Sequence, residues 1–401
     1  MWRTILIARN VLYGISGILL CAAVSAGAWA QSSSPAPAAS TPTASTPALA
    51  AASPTWSVGS LDFSGFLDGY YSYNANRPSN AANGQVNDLY NFNDKTDQFN
   101  LSAAKFTVNH DPDPIGVHID LLFGRTNALI HSSSDKDTDN YLEQAYISAK
   151  PSKAHGAELD FGQFVTSAGA EVIEAKDDWS YSRSLLFAWA IPYYHFGLRT
   201  SLPVTKTWTA GLQVVNGWNN VVANNGGVTV GLTSAYTKPK YAWNFAYYTG
   251  PENADTQKGY RNLIDTTLLL TPTAKFNAYL NYDYGQNHTP SSVTGSVTTP
   301  AESPHWQGIA LAAHEQVTAK SALTGRVEYF DDNQGFSTGR AQALKEFTGT
   351  YEYKCMAGLL GRVEYRRDWS NVDFFHKGDT GMVGAQSTLT VAFIAFFGPK
   401  R

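Results

Sequence analysis

From Trp56 to Phe397 apolar and polar residues alternate in short runs, the mark of strands whose successive side chains point to opposite faces. In the first run Leu61, Phe63, Gly65, Leu67, Gly69, Tyr71 and Tyr73 share one parity, and Asp62, Ser64, Phe66, Asp68, Tyr70 and Ser72 share the other. The same division separates Ile115, Val117, Ile119, Leu121 and Phe123 from His118 and Asp120, and Tyr241, Trp243, Phe245 and Tyr247 from Asn244. Such runs predict about sixteen strands (range 12–18), near 59–73, 98–110, 115–124, 141–150, 157–165, 192–203, 207–217, 227–237, 240–250, 261–271, 275–285, 306–316, 320–330, 343–353, 358–369 and 385–397. The second run changes parity near Ala103-Ala104, which predicts a bulge. The fourth and tenth alternate poorly.

The connections alternate too. Those after odd-numbered strands are long and polar, such as 74–97, 125–140, 166–191 and 286–305, whereas those after even-numbered strands are tight, such as Asp111-Pro112-Asp113-Pro114 and Lys238-Pro239-Lys240. A soluble sandwich has no reason to keep its long loops at one parity. A transmembrane barrel does, with short turns on the periplasmic side and long loops outside. The expected fold class is therefore all-β: a closed antiparallel transmembrane β-barrel. Gly325-Arg326-Val327-Glu328-Tyr329 returns as Gly361-Arg362-Val363-Glu364-Tyr365, which points to hairpins as the building unit.

Composition sharpens this picture. Only 15% of the 401 residues are charged, yet 13% are aromatic, as expected if one face of each strand meets lipid. Tyrosine and tryptophan collect near strand ends (Trp56, Tyr71, Tyr73, Trp208, Trp218, Tyr282, Tyr284, Trp306, Tyr329, Tyr365 and Trp369), the place of aromatic girdles. Beyond residue 30 no stretch offers the roughly 18–20 apolar residues of a spanning helix. Before it, Arg3 and Arg9 precede an apolar run from Val11 to Val24, and Ala28-Trp29-Ala30 suits a signal peptidase, so residues 1–30 are expected to be a cleaved export signal. Residues 31–55, rich in Ala, Pro, Ser and Thr, read as a disordered linker, and 56–401 as the barrel domain.

Without the signal 27 basic residues remain against 33 acidic, a charge of 27 − 33 = −6. No cluster of lysine and arginine favours a nucleic-acid partner. Cys355 becomes the sole cysteine, which excludes an internal disulfide, and no Cys/His spacing suggests zinc. Asp135-Lys136-Asp137-Thr138-Asp139 opens like a calcium loop but has Asn140 and Tyr146 where glycine and glutamate belong, so an acidic surface loop is the better reading. No metal or cofactor is expected. The histidines are scattered and form no nucleophile constellation, so no enzyme is expected.

A barrel of sixteen strands is too wide for side chains to fill and leaves a polar lumen. The polar parity places His195, Arg199, Arg326, Glu328, Arg362, Glu364, Arg366 and Asp368 on that lining, with Asp62, Asp68, His118, Asp120, Glu158, Asp160, Asn277, Asn281, Asp283, Glu346 and Glu352. Eleven carboxylates against four arginines in this set suggest a weak preference for cations. The connection after the fifth strand mixes charges with Val172, Ile173 and Trp179. Either it folds inward as a constriction built from Glu171, Glu174, Asp177, Asp178 and Arg183, or it packs on the outer rim. Arg326, Arg362 and Arg366 either face it and set a transverse field, or form cross-strand ion pairs that only stiffen the wall.

Phe161-Gly162-Gln163-Phe164, Gly169-Ala170-Glu171-Val172-Ile173-Glu174, Tyr181-Ser182-Arg183-Ser184, Ile191-Pro192-Tyr193-Tyr194-His195-Phe196-Gly197 and Val215-Asn216-Gly217-Trp218 together resemble the beta-barrel porin family described as OmpL-like. The resemblance takes in Ser64-Gly65-Phe66-Leu67-Asp68 and reaches the terminal strand. It implies an outer-membrane porin-like channel for passive diffusion of small hydrophilic solutes or ions, as a monomer or homotrimer among outer-membrane lipid. One departure is the Gly398-Pro399-Lys400-Arg401 that follows Phe397, where such barrels commonly end on an aromatic residue. The competing expectation is a non-conducting surface barrel whose extracellular loops mediate adhesion or binding.

Overall fold

The computed structural model describes residues 57–58, 60–79, 85–131, 141–294 and 297–399. The expected export signal, the linker, Trp56 and the Asp135 to Asp139 run lie outside the described residues. Sixteen long strands succeed one another: β1 (Leu61–Asn74), β2 (Gln98–His110), β3 (Ile115–Phe123), β4 (Leu142–Ala149), β5 (Glu158–Val165), β6 (Tyr194–Pro203), β7 (Trp208–Val215), β8 (Thr229–Lys238), β9 (Tyr241–Gly250), β10 (Arg261–Leu270), β11 (Phe276–Asn287), β12 (His305–Gln316), β13 (Ser321–Asp332), β14 (Gln342–Met356), β15 (Leu359–Ser370) and β16 (Ala385–Phe397). Each predicted run falls on one of them. Every strand pairs antiparallel with the next, and β16 returns to β1 in a register from Gly65↔Phe397 to Asn74↔Thr388. The sheet is thus closed, which pairs every strand edge, the condition for strands in hydrocarbon.

The two parities separate as the sequence implies. Apolar side chains such as Leu67, Trp243 and Phe393 are about half exposed on the outside, whereas inward Asp68, Ser72, Thr348 and Asp368 are buried. That arrangement inverts a water-soluble sheet and fits a barrel whose outer face meets lipid. Two irregularities re-aim side chains. Asp68 pairs with Ala103 but Gly69 with Leu101, leaving Ser102 unopposed, so the expected bulge sits one residue earlier. Asp120 pairs with Gln144 but Leu121 with Leu142, so Glu143 is the extra residue of β4. It is fully buried beside Lys105, which explains the poor alternation of that run.

The girdle expectation needs correction at Trp306 and Trp218. Trp306 has inward parity and is 1% exposed. Its indole occupies the space over Gly285, where a Cβ would meet ring atoms at 2.0–2.1 Å, and its Nε1–H donates to the Ala190 carbonyl at 3.0 Å. Trp218, from the β7–β8 connection, packs edge-on against it. Both belong to the interior.

Candidate functional site: a segment clamped inside the barrel

The connection from β5 to β6, residues 166–193, leaves the wall and runs through the interior. Its short helix α1 (Leu185–Trp189) begins at Ser184, whose Oγ accepts from Phe187 N–H at 3.0 Å. Tyr181, Leu185, Leu186, Phe187 and Ile191 form an apolar core with Phe92, Phe330 and Trp306. The segment thus packs inside the barrel and not along its outer rim. A second connection, between β1 and β2, also turns in: Leu89, Tyr90 and Phe92 are buried, and the Arg366 guanidinium lies 4.2 Å from the Tyr90 ring centroid. Three large apolar residues within an otherwise Asn- and Asp-rich stretch were the available sign of it.

Two identical clamps hold the first segment, and they are the two copies of the Gly-Arg-Val-Glu-Tyr repeat. Glu364 on β15 accepts from Tyr181 N–H at 2.6 Å and Ser182 N–H at 2.9 Å. Glu328 on β13 accepts from Leu185 N–H at 3.0 Å and Leu186 N–H at 3.3 Å. Beside each glutamate the repeat's arginine reads carbonyls. Arg362 donates to Ala175, Asp178 and Ser180, and Arg326 donates to Ser182. Arg366 adds a bond to the Arg183 carbonyl at 2.7 Å. The wall thus satisfies backbone groups that the irregular segment cannot pair within itself.

One ion pair joins the segment to this part of the wall, and the others lie within the wall or within the segment. Arg326 Nη1 is 2.7 Å from Glu171 and its Nε is 3.1 Å from Glu328 and 3.3 Å from Glu346. Arg366 pairs with Asp368 at 2.8 Å, Arg362 with Glu352 at 2.7 Å, and Arg183 with Asp178 at 3.1 Å. Burial pushes the Glu171 carboxyl up, but Arg326 and the Ser184 N–H outweigh it and hold it below its ordinary range. At Asp178 burial wins over Arg183 and raises the carboxyl well above its ordinary range. On another part of the wall Lys105 on β2 is 2.8 Å from Asp120 and 2.7 Å from Glu143, and also bonds Glu174 of the segment. These three carboxylates lie close enough to hold a metal ion, but the Lys105 ammonium already supplies the cation.

These contacts revise the expected roles. Glu171, Asp178 and Arg183 are buried anchors and not water-lining groups. Glu174 and Asp177 keep side-chain exposures of 14% and 34% and are the acidic members that still meet solvent. Of the eight expected lining residues, Arg199 stays accessible at 22%, paired with Asp160. His195, Arg326, Glu328, Arg362, Glu364, Arg366 and Asp368 are covered. His195 stacks on Tyr248 and its Nδ1 contacts the Gly217 carbonyl. The three arginines both contact the segment and form ion pairs within the wall, Arg326 and Arg362 across strands to Glu346 and Glu352.

Covered inward side chains ring the whole interior at this level: Asp68, Leu122, Phe164, His195, Gln213, Tyr248, Leu263, Asp283, Trp306, Phe330, Leu344 and Asp368 are all at 2% or less. Nearer the short turns the inward face opens, with Asp62, Asn109, His118, Glu158, Arg199 and Glu352 half-buried. Inward residues are therefore less covered on the short-turn side than at the level of the inserted segment.

Comparison with known proteins agrees with this geometry. Residues 60–397 match the family model described as "beta-barrel porin-2, OmpL-like". None of the curated proteins matches by sequence. Among solved structures, the in-vitro folded trimer form of OmpT from Vibrio cholerae is 14% identical with a TM-score of 0.52, covering 84% of this chain and 99% of that one. An anion-selective porin from Comamonas acidovorans is 10% identical with a TM-score of 0.54, over 84% and 99%. Salmonella typhi OmpF in complex with daunomycin is 15% identical with a TM-score of 0.53, over 84% and 97%. At these identities the likeness is one of fold.

Proposed function

The chain belongs to the beta-barrel porin family described as OmpL-like, and from that premise we propose an outer-membrane channel for passive diffusion of small hydrophilic solutes or ions, with residues 166–193 setting its aperture. The pair of glutamate clamps carries the reading. A connection held at Tyr181 to Ser182 by Glu364 and at Leu185 to Leu186 by Glu328 has a fixed position inside the barrel, as an aperture must. Glu174 and Asp177, the acidic groups of the segment left in contact with solvent, are paired with Lys105 and Lys176, so the segment itself adds little charge selectivity.

Export through a cleaved signal at 1–30 and a periplasmic tether at 31–55 complete the proposal, with the barrel acting as a monomer or a homotrimer. The N-terminal mass of the mature protein tests the cleavage, and cross-linking in membranes tests the assembly.

Planar-bilayer recording tests the channel. The wild type is expected to pass a small steady current, and Glu328→Ala combined with Glu364→Ala a current several-fold larger, because the segment loses four backbone anchors. Absence of current from both proteins, each folded and inserted, would sink the channel reading. It would favour a closed barrel that acts through its outer loops.

A further inference from the structure

The acids beneath the segment are matched either by a cation or by several donors. Glu171, Glu328 and Glu346 share Arg326, Asp368 has Arg366, and Glu364 accepts two N–H groups and the Thr350 hydroxyl. Asp265 on β10 and Asp283 on β11 are different. They are directly opposed across the strand pair, at 1% and 0% exposure, and their carboxyl groups are within hydrogen-bonding reach of each other. Their other neighbours are the Asn281 amide, at 2.8 Å from Asp265 and 3.5 Å from Asp283, the Gly169 N–H, which donates to Asp265, and a further acid, Glu328, near Asp283. Among the described residues no Lys, Arg or His forms an ion pair with either. Like charges directly opposed on a sheet repel, and a buried unpaired carboxylate costs far more than an exposed one.

A second observation stands beside the first. Thr267 follows Asp265 on the same inward face and is opposed to Asn281; it is 4% exposed, and its Oγ1 has no hydrogen-bond partner. Asp283 Oδ2 has no N–H donor, its neighbour being the Asp265 carboxyl. The wall therefore presents two carboxylates and a hydroxyl, with two oxygens that receive no N–H and with no nitrogen cation.

We propose that Asp265, Asp283 and Thr267 bind a hard divalent cation, calcium in the first instance, on the inner wall of β10 and β11, against Gly169 of the inserted segment. Two carboxylates supply the charge that matches a divalent ion. A proton shared between them would leave one negative charge and the Thr267 oxygen unsatisfied. Calcium accepts six to eight oxygens in flexible geometry and lets water complete its shell, whereas magnesium demands a near-ideal octahedron that side chains fixed by strand register do not readily form. Asn281 acts as a positioning residue by holding both carboxylates. Since Asp265 also accepts the Gly169 N–H, the ion would steady the start of the inserted segment. The site differs in kind from Asp120, Glu143 and Glu174, where Lys105 plays the part of the cation.

The test uses the whole chain, refolded into detergent micelles with and without calcium chloride, freed of excess ion and assayed for bound calcium by elemental mass spectrometry. Loading during refolding matters because the site is covered in the folded barrel. One calcium per chain is expected for the wild type and for Glu143→Gln. Asp283→Asn is expected to lose it, and the near-isosteric Thr267→Val to weaken it on the order of 10-fold. No bound calcium in folded wild type overturns the proposal, as does full retention by Asp283→Asn. A protonated carboxyl band in the infrared spectrum of calcium-treated wild type, absent from Asp283→Asn, would overturn it in favour of a shared proton. None of these readouts depends on a current, so the proposal fails or stands apart from the channel reading.

Discussion

Two parts of the wall meet the same inserted segment in opposite ways. On β13 to β15 the buried acids have an arginine or N–H donors beside them, and these groups also hold the segment to the wall. On β10 and β11 two acids of equal burial face each other with no side-chain cation. Both surfaces are inward, polar and covered, so burial alone does not tell them apart. The partner count does. A wall whose acids have arginine partners positions the segment through the protein's own groups, whereas two opposed acids with no side-chain cation leave room for an ion from solution.

Removing the balance on the first wall is expected to have the largest effect. Arg326→Met leaves Glu171, Glu328 and Glu346 buried without their shared cation. Breaking a buried pair by deleting one partner costs about 3–5 kcal/mol, and this arginine serves three. Urea unfolding in lipid or detergent should show a loss of at least that size. A loss below about 1 kcal/mol, the scale of a surface pair, would show that the charges are not coupled as the distances indicate.

Acid weakens the same wall without mutation. Glu171 faces Arg326, Arg183, Tyr279 and Asp178, and its carboxyl is held below the ordinary value of 4.5. A depressed carboxyl contributes stability that is present above its unfolded value and is lost as pH falls through its folded value. The anchoring that Glu171 supplies should therefore persist from neutral pH down to 4.5 and weaken below it, read as a rise in conductance that is reversed on neutralisation. Glu171→Gln should remove that acid step. A step centred well above 4.5 in the wild type would contradict the assignment to Glu171.

Much of the barrel could be read from sequence, because lipid outside and water inside force a period of two on every strand. All sixteen runs, the closing strand and the parity of the long loops followed from that. Parity names a face, however, and says nothing of what covers it. Arg326, Glu328, Arg362 and Glu364 share the inward parity, but that the repeat carrying them grips backbone at 175–186 depends on a connection more than a hundred residues away. The two bulges show the same limit: one extra residue turned Glu143 toward Lys105, and no local pattern announces the partner. Trp306 was misassigned because an aromatic at a strand end looks the same whether it meets headgroups or, as here, the space left by Gly285.

That misassignment gives an intermediate test. Trp306→Phe keeps an aromatic body against Phe336, which stacks on it at 5.0 Å, but removes the bond to the Ala190 carbonyl. Leaving a buried carbonyl unsatisfied costs about 1–3 kcal/mol. A residue of an outer girdle would lose little, so an unchanged unfolding midpoint would return Trp306 to the lipid boundary.

The smallest expected effect is also the one that most sharply separates the two walls, because its sign reverses. In chelator Asp265→Asn removes one of two opposed negative charges and puts an amide in its place, which should stabilise the barrel by about 1 kcal/mol, the scale of a cross-strand charge pair. In millimolar calcium the wild type gains binding energy that the variant lacks, since an ion bound only by the folded state stabilises it, and the variant should become the less stable of the two. Equivalent neutralisation on the other wall, Glu346→Gln, strips Arg326 and Arg366 of a partner and should destabilise in both buffers. If Asp265→Asn behaves like Glu346→Gln, losing stability with and without calcium, the β10–β11 pair is held by interactions within the chain and the contrast between the walls disappears.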